Sequence, residues 1–130
     1  MEKSPKRSIA IDFDATLAHY ERFIAPDNVG APIPEMVRKA KEAMDQGDDV
    51  VIFTARANPG QGNGKDALDA TLAILAIAEW SKKVFGKVLA ITHEKSRHFT
   101  ELWDDRGRQV IPNTGVFLEE LMEQQHGAHR

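Results

Sequence analysis

The chain has 130 residues, 42% of them hydrophobic, with 17 basic against 20 acidic side chains and a formal net charge of -3. That fills one modest core and predicts a single domain over residues 1–130, while the balanced charge supplies neither a polyanion-binding surface nor an acidic tail. The absence of cysteine excludes disulfides, thiolate zinc sites and thiol nucleophiles and fits a reducing cytosol, so cytoplasmic localisation is the expectation.

The apolar run Ile9-Ala10-Ile11-Phe13 is interrupted by Asp12 and ended by Asp14, too soon for a signal-peptide segment. No stretch approaches the roughly 20 apolar residues of a membrane span, and no membrane partner is expected. Residues 7–13 read as a first, buried parallel strand reaching a functional edge. A turn-rich connection through Asn28 and Gly30 leads to a helix over 34–46, opened by Pro34 and stopped by Gly47. Its apolar face is Met36 or Val37, Ala40 and Met44. Val50 to Phe53, ending at Thr54, is the second strand, and residues 57–65 are a glycine-rich and proline-rich loop.

A longer helix over 66–83 is expected to bury Leu68, Leu72, Leu75 and Ile77 or Trp80, and Gly86 separates it from a third strand, Val88 to Ile91. Glu101-Leu102-Trp103 and Val110-Ile111 are the fourth and fifth strands. A closing helix follows over 115–125, capped by Asn113 or Thr114. Residues 1–5 and 127–130 are expected to be loosely held. The pattern is α/β, and carboxylates or a hydroxyl follow three different strands. In a parallel sheet those ends point the same way, where ligands bind.

Ile11-Asp12-Phe13-Asp14-Ala15-Thr16-Leu17 carries the chemistry: two carboxylates flank a residue that asks to be buried. Taken alone, Asp12 and Asp14 serve equally well as caps of a strand-end turn. With Thr54 after the second strand, Lys95 downstream and Asp104-Asp105 after the fourth strand, the segment resembles the haloacid dehalogenase-like superfamily, most of whose members are phosphohydrolases. The four motifs stand in family order across residues 9–105. Ala15 replaces a usual glycine, a departure that excludes a conformation open only to glycine, and Ala55-Arg56 extends the likeness to small nucleotidase-like members.

The resemblance implies a three-layer α/β/α, Rossmann-like fold with a mainly parallel five-stranded sheet in the order 3-2-1-4-5 and no large cap. It implies Asp12 as nucleophile forming an aspartyl-phosphate, and Asp14 as the acid and base at the leaving group and the water. Thr54 and Lys95 would hold the phosphoryl charge. Mg2+ would sit on the side chains of Asp12 and Asp105 and the backbone carbonyl of Asp14. Asp104 would orient Lys95 or support the metal. Arg56 and Arg106 are candidates for substrate contact or for structural ion pairs.

The expected partner is a phosphorylated substrate, with a nucleotide or a nucleic-acid terminal phosphate favoured over an enclosed metabolite. A protein subunit as cover stays open. The different-class alternative is a catalytically inactive phosphate-binding or regulatory module. Gly60 to Lys65 fails the triphosphatase pattern at Pro59 and Asp66 and is an ordinary connection or a partial lid. His19, His93 and His98 lack metal-ligand spacing, and Trp80 and Trp103 read as core.

Overall fold

The computed structural model describes residues 6–126; the ends expected to be loosely held, 1–5 and 127–130, lie outside the described residues. Four strands, β1 (Ser8–Asp12), β2 (Asp49–Phe53), β3 (Ile91–Thr92) and β4 (Glu101–Trp103), pair in parallel in the order β3-β2-β1-β4. The chain is therefore α/β with a parallel sheet, in the expected order but with four strands rather than five. At the expected fifth strand, Val110 makes only an isolated antiparallel bridge to Phe117. Pro112 has no amide to continue a ladder, and Asn113 at φ 66 turns the chain back on itself. Ile111 then receives the Thr114 amide and donates to Val116.

The third strand is also shorter than expected. The Ser81 hydroxyl donates to the Lys87 carbonyl and accepts the Leu89 amide, both at 2.9 Å. Those bonds tie residues 87–89 to the preceding helix, so only Ile91 and Thr92 are left to pair with Ile52 and Phe53.

Ile9 and Ile11 pair in register with Val50 and Ile52, and this apolar face is covered by α1 (Pro34–Asp45) and α2 (Gly64–Phe85) together. Successive steps from β1 to β2 to β3 run in one direction across the sheet, and crossovers of one hand then put both helices on one side. In α1 the buried residues are Val37, Ala40 and Ala43, with Met36 and Met44 packed at the margin. Gly47 ends it at φ 93, its amide on the Met44 carbonyl.

The prediction for α2 holds for Ile77 and Trp80 and fails for the three leucines. Its buried residues are Ala70, Ala73, Ile77, Trp80 and Ser81, while Leu68, Leu72 and Leu75 face outward. This helix lies against a 3-10 turn at Ala55–Ala57, and that close approach selects the alanines. Trp80 meets Phe13 edge-on at 4.9 Å and donates to the Gly30 carbonyl. Trp103 packs against the core as expected.

The three-layer arrangement is not completed to the same depth on the other face, where Leu102 is exposed. The connection from β3 to β4 contains no helix, and α3 (Leu118–His126) has Glu119 to Gln124 exposed. Neither expected cap starts α3. Asn113 and Thr114 are spent in the preceding turn, where the Thr114 hydroxyl donates to Ile111 and accepts the Val116 amide. Among the described residues no helix is long and apolar enough to cross a membrane.

Candidate active site

The chain leaves β1 through a tight turn built on one oxygen. The amides of Thr16, Leu17 and Ala18 all donate to the Phe13 carbonyl, at 3.4, 3.0 and 2.9 Å. Ala15 adopts φ 68 to make this turn, in the left-handed well, which an L-residue can enter at a strain of roughly 1–2 kcal/mol. Phe13 and Leu17 anchor the turn in the core. Asp14 is left with a carbonyl that accepts no backbone amide among the described residues. Ala15→Gly is expected to stabilise the fold by roughly 0.5–1 kcal/mol, the relieved strain exceeding the entropy added to the unfolded chain, as a urea-unfolding midpoint will show.

Asp12, Asp14, Thr54, Asp104, Asp105 and Arg106 line one cleft of about 500 Å³, together with Ala15, Tyr20, Phe23, Phe53, Ala55 and Arg56. The Asp12 carboxyl is pushed up to about 6, first by burial and then by a hydrogen bond and repulsion from Asp105. Thr16 donates to it weakly, at 3.4 Å. The nearest cationic neighbour of this carboxylate pair among the described residues is Arg106, an exposed side chain 3.9 Å from Asp105. Three His, Asp or Glu side chains do not converge on a point among the described residues. Two opposed carboxylates and a free backbone carbonyl nevertheless match the hard oxygen donors of Mg2+, which binds through one or two carboxylates plus water and substrate phosphate.

Asp14 is engaged elsewhere. Its two oxygens accept from Nε and Nη2 of Arg56, at 2.7 and 3.1 Å. Arg56 Nη1 donates to the carbonyls of Ala25, Pro26 and Asn28, at 3.0, 3.1 and 2.8 Å. With a side chain only 9% exposed, Arg56 fastens the loop between β1 and α1 to Asp14. Of the two roles open to Arg56, the structure shows the ion pair.

Thr54 is buried at the end of β2, its hydroxyl oxygen accepting the Arg56 amide at 3.2 Å. The hydroxyl proton remains to be donated into the cleft. Lys95 is not brought to Asp12. It lines the adjoining hollow beside Leu102 and Gly107, with Asp104 as a shared wall, and it makes no hydrogen bond or ion pair among the described residues. Asp104 accepts the amides of Arg106 and Gly107, at 3.0 and 2.5 Å, and so shapes the turn after β4. Residues 57–65 and His93 do not line the cleft.

Sequence reasoning missed Tyr20 and Phe23. Their rings lie 5.8 and 5.4 Å from the Arg56 guanidinium, and both line the cleft, with Phe23 exposed. The available signal was two aromatic residues flanking Glu21 and Arg22 in a turn-rich connection outside any strand or helix pattern.

No family model and no curated protein matches the chain. Among solved structures it is similar to one described as the structure of the conserved protein coded by locus from Bacteroides thetaiotaomicron, at 20% identity over 93% of each chain with a TM-score of 0.49. A likeness that distant says nothing of chemistry.

Proposed function

We propose that the chain is a magnesium-dependent phosphate-monoester hydrolase of the haloacid dehalogenase-like kind. The observation that carries this reading is the opposition of Asp12 and Asp105 in a cleft that also holds the buried Thr54 hydroxyl. A bound cation would neutralise the carboxylate pair and polarise the phosphoryl group. Asp12 attacks phosphorus and forms an aspartyl-phosphate, while the leaving oxygen takes a proton. Thr54 donates to a phosphoryl oxygen. Asp14 supplies the proton and later accepts one from water, which requires Arg56 to release one of its oxygens as substrate enters. Lys95 would have to swing in from the neighbouring hollow to take its expected part.

The cleft is open, and the rings of Tyr20 and Phe23 border it, which suits a substrate with a flat base outside the phosphate pocket. A nucleotide or nucleic-acid terminal phosphate is therefore favoured over a sugar phosphate. Phosphate release from nucleoside monophosphates is expected with magnesium, to be lost on chelation and recovered when magnesium is restored. Unchanged turnover of chelated protein would refute the assignment. The engagement of both Asp14 oxygens by Arg56 favours a second reading, a module that binds phosphate without turnover, and magnesium-dependent binding with no release from any monoester would establish it.

A further inference from the structure

Between Ala67 and Ala78 only Asp69 and Thr71 are polar. A helix apolar on all sides is one covered on all sides, yet the core takes only the face of Ala70, Ala73, Ile77 and Trp80. Turned away from it, Leu68, Leu72 and Leu75 are 58%, 37% and 63% exposed. At about 100° per residue they form one outward stripe, and no described element shields it.

The charges that bound this stripe identify its occupant. Lys65 and Glu79 stand at equal distances on either side of Leu72, about two turns away, with opposite signs. We propose that α2 pairs with α2 of a second copy in an antiparallel, two-fold arrangement centred on Leu72. Lys65 then meets Glu79 of the second copy, and Leu68 lies within about 1.5 Å along the axis, one residue's rise, of the second copy's Leu75, each contact occurring twice by symmetry. A parallel pairing would oppose Glu79 to Glu79 and Lys65 to Lys65. A membrane surface would find Asp69 and Glu79 beside the leucines, the wrong sign for anionic lipid.

The present partners, half-buried Asp69 for Lys65 at 2.9 Å and exposed Lys83 for Glu79 at 3.2 Å, lie on the same helix. Such pairs hold little energy and exchange readily. A single helix face is a small interface, so the association is expected to be reversible and weak.

Sedimentation equilibrium of the full chain, from low micromolar to about millimolar concentration, reads the dimer directly. Leu75→Glu is expected to raise the dissociation constant by at least tenfold, roughly the effect of losing one central contact, with an unchanged circular-dichroism spectrum. Lys65→Glu is expected to weaken the dimer, and Lys65→Glu combined with Glu79→Lys to restore it. These two exposed positions keep the test decisive even where Leu75→Glu affects folding. A monomer at every concentration would overturn the proposal, as would a dimer indifferent to Leu75→Glu or a reversed charge pair that fails to restore association.

Discussion

Asp12→Asn is expected to lower kcat for phosphate-monoester hydrolysis by about four orders of magnitude or more and to abolish the phosphoenzyme, because an amide oxygen cannot replace the attacking carboxylate. Rapid quenching followed by intact-protein mass measurement checks it, and a metal-dependent phosphoenzyme persisting in the variant would identify another nucleophile. The same substitution is expected to stabilise the metal-free protein at pH 8. The folded Asp12 carboxyl titrates at about 6 against an ordinary 3.8. Between those values the folded state keeps a proton that the unfolded chain has lost, so the parent's stability falls as pH rises through the window and stays lower above it. Discounted for partial exposure, the gain in Asp12→Asn is about 1–2 kcal/mol at pH 8. It should vanish below about pH 3, beneath both values. Unfolding midpoints in chelator at the two pH values measure it. A variant that is dead yet more stable would show repulsion retained for chemistry.

Arg56→Ala is expected to cost about 3–5 kcal/mol, since it strands the Asp14 carboxylate and frees three loop carbonyls at once. Arg56→Lys should recover little, because a point charge cannot span Asp14 and the 25–28 backbone together. Urea unfolding gives the loss, and new protease cleavage within residues 20–28 would place it in the loop. Asp14→Asn is for the same reason an impure probe of acid catalysis. It also leaves the guanidinium half-paired, so its rate should be read beside its stability.

What the sequence revealed was what local chemistry decides. Short apolar runs at Ile9 to Phe13 and Val50 to Phe53 located the two central strands, and Pro34, Gly47 and Gly86 marked helix ends because each removes or permits one backbone state. Asp12, Asp14, Thr54 and Asp105 were legible as a group because parallel strands deliver their ends to one edge. The misreadings needed tertiary information. Periodicity cannot say which side of a helix apolar around most of its girth is buried, so Leu68, Leu72 and Leu75 read as core, whereas Ala70 and Ala73 pack beside Ile77 and Trp80. Ser81 capturing Leu89 and Asn113 reversing the chain shortened one strand and removed another. Lys95 rests on motif order and on nearness in sequence to Asp104-Asp105, and neither carries a distance to Asp12. Arg56 had two plausible uses, and only the path of the loop through residues 25–28 distinguishes them.

That loop has one further consequence. Its two ends are sewn together: the His19 amide donates to the Ala31 carbonyl at 2.8 Å, and Ala18 bridges Pro32. The approach is so close that a Cβ at Gly30 would lie 1.9 Å from the His19 oxygen, which fixes glycine there. The tip from Glu21 to Ile24 is exposed. Doubling the length of a closed loop costs only about 0.6 kcal/mol, so extra residues inserted at the tip would leave sheet, core and carboxylates where they are. Growth at Glu21–Ile24 would change what borders the cleft beside Phe23, independently of the turn that carries Asp12 and Asp14.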